Sequence, residues 1–282
     1  MNYSFNHMLI IDAHQHFWNY QPDTHAWIDD SMMRLRHHFL PVDLEPVLIE
    51  NNVQGCIAVQ ASQTEAETDF LLQLAAEYPF IKAVVGWVDL RADQIQSRLE
   101  HYSQFHLVKG FRHILQAESP AFMLNAKFTR GIRALKNNFV YEILVFPEHL
   151  PAVLQLVKQF PEQRFIIDHL AKPTIRSGIT KDWEKGMRAI AEYDHVYVKL
   201  SGMVTEADHQ HWRQDDFKSY LDVMTNSFGV NRMIFGSDWP VCLLAATYQQ
   251  VLEIMQNHFR SFSQLEQEKI FGLNAIEFYQ LK

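Results

Sequence analysis

Cysteine is scarce in this chain, with only Cys56 and Cys242 among 282 residues. Two thiols make no disulfide framework, so both are expected to be free in a reducing cytoplasm. No run of about 18 apolar residues occurs, which excludes a membrane-spanning helix. The N-terminal MNYSFNHMLIIDAH also lacks the charged start, apolar stretch and small-residue cleavage site of a signal peptide. Basic charge is short as well: 25 Lys and Arg stand against 33 Asp and Glu, a formal net charge of −8. Nucleic-acid binding needs clustered cations, so no such partner is expected, nor a membrane. Glycine is limited to 10 residues and none forms a G-x-G-x-x-G turn, so a dinucleotide-binding open sheet has no support. No charge block, low-complexity tract or Gly/Ser linker divides the chain. Histidine, by contrast, is plentiful at 15 residues, and neutral imidazole is the commonest metal ligand and general base.

A hydrophobic share of 48% supplies a large core. Short, β-branched apolar runs recur at residues 9–14, 55–61, 82–88, 107–111, 139–146, 164–169, 195–200 and 232–236. Most are continuously hydrophobic, the pattern of parallel strands buried on both faces. Helical patterns lie between them. One opens with Thr64 as N-cap and acidic residues in its first turn, another has Pro151 near its start, and others span 180–193, 214–228, 248–259 and 263–279. Eight strand–helix units predict an α/β fold, a (β/α)8 barrel of the TIM type, as one domain over residues 1–282. Residues 18–41, WNYQPDTHAWIDDSMMRLRHHFLP, form an unusually long first connection. Its Trp18, Tyr20 and Trp27 predict a packed lid over a site.

In such a barrel the site lies at the C-terminal strand ends. Strand one ends in Asp12-Ala-His14-Gln-His16, and side chains two apart on a strand share a face, so both imidazoles can converge. Chance alone gives about 0.8 H-x-H matches at this histidine content, and a second match, His209-Gln-His211, sits in a polar stretch read as a solvated loop. The first match has company. Strand six ends in Asp168-His169, strand eight runs into Asp238, strand four ends in Arg112-His113, and strand seven contributes Lys199 and Ser201. Period two sends neighbours opposite ways, so Asp168 and His169 are not expected to share the lumen. Lys199 and Arg112 read either as ion pairs below the site or as substrate contacts. Imidazoles plus one carboxylate suit a divalent ion of borderline softness, zinc or manganese, with a position open to water. Asp238 is then the expected general base. Trp27, Trp87 and Trp239 suit either stacking on a ring or packing at the rim, Arg112 and His113 suit gripping hydroxyls or a carboxylate, and Gln60 is a further hydrogen-bonding candidate.

The segments Asp12-Ala-His-Gln-His-Phe-Trp, Gly110-Phe-Arg-His, Asp168-His-Leu-Ala-Lys-Pro, Lys199-Leu-Ser-Gly-Met-Val-Thr-Glu-Ala-Asp and Phe235-Gly-Ser-Asp-Trp-Pro-Val resemble the amidohydrolase superfamily. More narrowly they resemble its amidohydrolase-related branch, the sugar-acid lactonases of L-fuconolactonase and L-rhamnonolactonase type. The resemblance runs from about residue 9 to the C-terminus. It implies a (β/α)8 barrel that hydrolyses a sugar-acid lactone, a cyclic ester, in carbohydrate catabolism. Metal-dependent members of the superfamily usually add a lysine or glutamate on strand four and a histidine on strand five. Residues 139–146 contain no histidine, so the resemblance implies at most one divalent ion, zinc first, held by His14, His16 and Asp238 with His169 near. Hydrolysis by Asp238 and His169 is expected not to depend on it. The rivals are a metal-dependent non-oxidative decarboxylase of the same superfamily and a sugar-acid-binding barrel without catalysis.

Overall fold

Residues rich in Val, Ile, Phe and Ala alternate with amphipathic segments along the chain, and the two kinds of element segregate into layers. The computed structural model describes residues 8–135 and 138–282. Its eight strands are β1 (Ile11–Gln15), β2 (Gly55–Val59), β3 (Ile81–Gly86), β4 (Val108–His113), β5 (Val140–Ile143), β6 (Phe165–Ile167), β7 (Val196–Leu200) and β8 (Met233–Phe235). They pair in sequence order and in parallel. The helices α1 (Pro41–Glu50), α2 (Glu65–Glu77), α3 (Ile95–Tyr102), α4 (Ala126–Leu135), α5 (Leu150–Gln159), α6 (Lys181–Ala191), α7 (Gln214–Phe228) and α8 (Tyr248–Phe259) follow the strands in turn. This is the expected (β/α)8 barrel. Residues 1–7, 136 and 137 of the expected 1–282 domain lie outside the described residues. No helix among the described residues is long and apolar enough to cross a membrane.

Local chemistry sets the helix ends. The Thr64 hydroxyl accepts from Glu67 N at 3.2 Å and caps α2, with Glu65 and Glu67 favourable at the positive end of its dipole. The pattern over 263–279 resolves into α9 (Gln264–Glu268), a π-helical turn (Lys269–Leu273) and α10 (Asn274–Tyr279). There the Asn274 amide donates to the carbonyls of Val230 at 2.7 Å and Met233 at 2.8 Å, tying the turn to β8.

Inside the barrel, Ile11, Ala13, Ile57, Val59, Val85, Val140, Ile166 and Ile234 form a cluster that Phe278 and Tyr279 of α10 close from below. A larger apolar cluster lies between sheet and helices. The first connection folds back on itself. Trp18 and Phe39 exchange backbone hydrogen bonds of 2.9 and 3.0 Å, and Trp18 Nε1 donates to His37 O at 2.9 Å. Its 3-10 helix, Asp30–Leu35, packs on the turn Val241–Leu244 that follows β8.

Candidate active site

The site is built at the seam where β1 meets the chain leaving β8. His16 N donates to Trp239 O and Asp238 N to His14 O, both at 2.8 Å. Buried Asp12 pins the same seam, accepting from Ser237 N at 2.8 Å, Ser237 Oγ at 2.6 Å and Tyr248 Oη at 3.0 Å. Burial pushes its carboxyl up against those bonds. Gly236 is required here, because a Cβ at that position would stand 2.6 Å from His14 Cβ. Ile11 and Ala13 belong to the inner cluster, yet His14 and His16 meet the site. A register irregularity between Asp12 and Gln15 accompanies that change of phase, and such bulges re-aim side chains.

Three imidazoles converge on Asp238. Its Oδ1 lies 3.5 Å from His16 Nε2, 3.8 Å from His169 Nε2 and 3.9 Å from His14 Nε2. His16 Nδ1 sits 2.7 Å from Val59 O. A carbonyl only accepts, so Nδ1 carries the hydrogen there and Nε2 is the ring atom that faces the carboxylate. His169 Nδ1 meets Ser201 Oγ at 2.9 Å. Burial drives the His169 imidazole well below the ordinary histidine value despite the opposing charge of Asp238. Burial, joined by Lys199, His16 and Arg112, does the same to His14. Burial alone would raise Asp238, but His169, His16 and Lys172 outweigh it and hold the carboxyl below its usual range. The neutral imidazoles of His14 and His169 thus face an ionised carboxylate. His14, His16 and Asp238 bring ligand atoms within 4.8 Å of one another, as do His14, Asp168 and His169. A tetrahedral ion with bonds of about 2.0–2.1 Å spaces its ligands by about 3.4 Å, so the first set fits a divalent ion with small adjustments.

Asp168 and His169 both reach this centre, contrary to the expectation from period two. Asp168 Oδ1 is 3.6 Å from His14 Nδ1, and the His14 and His169 rings are 4.3 Å apart. The reason is local. β6 ends at Ile167, and His169, Leu170, Ala171 and Lys172 all take left-handed φ values between 49° and 58°. The strand alternation has already stopped there, so His169 is turned back over the lumen.

Beneath the imidazoles lies a buried layer of charge. Lys199 Nζ meets Glu142 Oε2 at 2.7 Å, Asp168 Oδ1 at 3.3 Å and His14 Nδ1 at 3.1 Å. Arg112 Nη1 reaches Asp168 Oδ2 at 3.1 Å and His14 Nε2 at 3.2 Å, and its Nη2 donates to the carbonyl and side chain of Gln60. Lys199 and Arg112 therefore belong, of the two readings left open, to the ion-pair layer. Burial would raise Asp168, but Lys199 and Arg112 hold it low. Burial raises the Glu142 carboxyl to about 7, opposed by Lys199, and Tyr279 Oη donates to it at 2.5 Å.

Other expected residues lie elsewhere. His113 follows Arg112 on β4 and faces the opposite way, where Trp87 Nε1 donates to it at 3.3 Å and Phe122 stacks on it at 4.9 Å. Trp27 stands 37% exposed on the first connection, edge-on to Trp18. Trp239 is buried against Phe17 and Phe39. The second H-x-H, His209 and His211, is exposed, and both thiols are free and buried. Glu142, Lys172 and Glu206 were not singled out from sequence. Glu142 was legible as the residue two after inward Val140, and the other two lie within motif segments quoted above.

Known proteins share this arrangement of chain. A family profile described as amidohydrolase matches residues 11–281. An L-fucono-1,5-lactonase of Burkholderia multivorans is 39% identical, the match covering 97% of this chain and 96% of that protein. An L-fucono-1,5-lactonase of Burkholderia ambifaria is 34% identical, over 96% of this chain and 95% of its own. The crystal structure of a Burkholderia multivorans amidohydrolase with bound zinc superposes with a TM-score of 0.94 at 38% identity, covering 97% of this chain and all of that one.

Proposed function

The chain belongs to the amidohydrolase family, and we propose that it opens the cyclic ester of a sugar-acid lactone by attack of water, in the cytoplasm. The observation that carries this reading is the ionised Asp238 carboxylate within 3.5–3.9 Å of three imidazole nitrogens at the open end of the barrel. The similarity to lactonases over nearly the whole chain supports the substrate class. The two free thiols suit a reducing compartment.

Asp238 takes a proton from water as the oxygen attacks the lactone carbonyl. Neutral His169, its Nδ1 against Ser201, presents Nε2–H to the developing oxyanion, and a buried donor is effective there because no solvent has to reorganise. Collapse breaks the bond to the ring oxygen, which leaves as an alkoxide and recovers the proton from Asp238. The product is the open hydroxy acid, ionised at neutral pH, so each turnover releases one proton. His14, His16 and Asp238, with His169 beside them, are the residues that would hold a divalent ion. Such an ion, zinc in the first instance, supplies carbonyl polarisation and a more acidic water when bound. Arg112 and Lys199 compensate Asp168 and Glu142 and fix His14 from below.

A pH-indicator assay over a panel of aldonolactones that includes L-fucono-1,5-lactone tests this, with and without chelator, beside Asp238→Asn. Acid release that disappears in Asp238→Asn supports the reading. Activity that vanishes on chelation and returns with metal makes the ion essential. Ligand binding without acid release would leave a binding protein, and carbon dioxide release from an aromatic acid would make the chain a decarboxylase.

A further inference from the structure

One charged pair at the mouth of the site neither transfers a proton nor faces the oxyanion in that chemistry. Lys172 follows His169 by three residues at the end of the left-handed run, and its backbone N donates to His169 O at 2.7 Å. Glu206 ends the 3-10 turn Val204–Glu206 that follows β7. The same β7 loop touches His169 twice. Ser201 Oγ bonds its Nδ1, and Gly202, at φ +64°, packs so closely that a Cβ there would stand 2.5 Å from that nitrogen. Lys172 Nζ and Glu206 Oε1 therefore meet across the two loops that frame His169, at 3.6 Å.

That distance exceeds the roughly 2.7–2.9 Å of a close charge-assisted hydrogen bond, and the side chains are 19% and 20% exposed. So loose a pair, only about a fifth exposed, does not by itself account for four consecutive left-handed residues. Position accounts for them better. The deeper cations Arg112 and Lys199 are 3% and 0% exposed and already engaged with Asp168 and His14. Lys172 is the cation that a molecule entering toward His169 can reach, and its charge is felt by His14, His169 and Asp238. Phe146 lies beside it, its ring centre 5.5 Å from Nζ.

An ammonium offers only donors and a carboxylate only acceptors, whereas a hydroxyl both donates and accepts. We propose that Lys172 and Glu206 form a hydroxyl clamp at the mouth of the site, the ammonium donating to one substrate hydroxyl and the carboxylate accepting from its neighbour. The clamp selects a polyhydroxylated lactone over a bare one, and it rests on the lactone-hydrolase reading. A site built to bond hydroxyls discriminates strongly against analogues lacking them, because its own polar groups are then left without partners.

Calorimetric titration tests this with two ring-opened acids, L-fuconate and 5-hydroxypentanoate. The second keeps the carboxylate and the C5 hydroxyl but has no hydroxyls between. Wild type is expected to prefer L-fuconate. Lys172→Met and Glu206→Gln should each weaken it about ten- to hundredfold while moving 5-hydroxypentanoate by less than about twofold. Equal weakening of both acids by Lys172→Met, with Glu206→Gln silent, overturns the clamp in favour of a charge that attracts carboxylates. A wild type without preference, or variants that bind as wild type does, also overturns it. Hydrolysis of L-fucono-1,5-lactone is followed in parallel. Its absence beside the expected binding pattern removes the hydrolase reading and keeps the clamp, and its presence with unchanged binding does the reverse.

Discussion

Gly236→Ala is the sharpest perturbation available at the seam. The added Cβ would lie 2.6 Å from His14 Cβ and 3.0 Å from His14 N, whereas ordinary contact begins at 3.4 Å. Both atoms belong to the rigid part of β1, so no flexible side-chain end can swing aside. Relief requires β1 and the chain after β8 to separate by about 0.8 Å, the shortfall between 2.6 and 3.4 Å. Overpacking of this kind costs about 1–3 kcal/mol. The larger effect is on chemistry. The contacts of His14 with Asp238 at 3.9 Å and with Lys199 at 3.1 Å cannot both survive the shift, and misplacing a reacting group by about 1 Å costs about a hundredfold in rate. The variant is therefore expected to fold and to lose about two orders of magnitude in kcat/KM on an aldonolactone. Gly178→Ala is the control, since Gly178 has φ +83° with nothing within 4 Å of the added Cβ. It should show only the strain of a backbone conformation that glycine alone adopts readily, about 1–3 kcal/mol, with unchanged turnover. Urea unfolding and initial rates are measured on both. A Gly236→Ala enzyme within about threefold of wild type would show that the placement of His14 does not govern the reaction.

Lys199→Met should destabilise the protein by about 3–5 kcal/mol in urea unfolding, because it leaves Glu142 and Asp168 buried without their shared cation. The double variant Lys199→Met/Glu142→Gln should recover part of that loss, and a harmless single variant would contradict the assigned pairing. The pH dependence of stability has a definite sign. Burial holds the His14 and His169 imidazoles far below the ordinary value, while the unfolded chain binds protons near pH 6.5. The metal-free protein should therefore keep full stability above about pH 6.5 and lose up to about 1.4 kcal/mol per pH unit per histidine below it. A flat profile in urea titrations between about pH 8 and pH 5 would refute this. Burial also raises the Cys56 and Cys242 thiols well above the ordinary value, so neither should react with Ellman's reagent until the protein is unfolded; one fast-reacting thiol in the native state would place that residue differently.

Strand identity was legible because a buried parallel strand must be apolar throughout, and runs such as 55–61 and 82–88 have no other use in a compact chain. The residues gathered around Asp238 were legible for a related reason. Histidine and aspartate ending an apolar strand have few harmless places to go, which singled out His14, His16, His169 and Asp238. What escaped the sequence was phase. Residue type and strand-end position made His113 and Trp87 candidates for the substrate, but Arg112 takes the lumen and its neighbour on β4 must turn outward. Strand alternation separated Asp168 from His169, and it failed there because backbone handedness changes at the very end of β6. Glu142 was passed over because a search for a missing histidine ligand on β5 does not ask what compensates a buried lysine on β7.

The departures from strand alternation all lie at the C-terminal strand ends. Continuing the alternation of Ile11 and Ala13 would aim Gln15 at the lumen, and the irregularity in β1 instead aims His14 and His16 there. Asp238 takes φ 61°, and His169 through Lys172 are left-handed as well. Five such non-glycine residues cost roughly 5–10 kcal/mol together, comparable with the whole stability of an ordinary domain, about 5–15 kcal/mol. Conformations this costly persist only where the surroundings over-determine them. The surroundings supply this at both places: at the seam, two backbone bonds between β1 and the chain after β8 and the donors on the Asp12 carboxylate, and after β6, Trp183 Nε1 donating to Leu170 O at 2.7 Å. Closure of the barrel and assembly of the site are therefore one event. A barrel closed by an unbroken β1–β8 ladder would be freed of the strain at Asp238, and it would bring Gln15, with neither imidazole nor charge, to the place where His14 and His16 now meet Asp238.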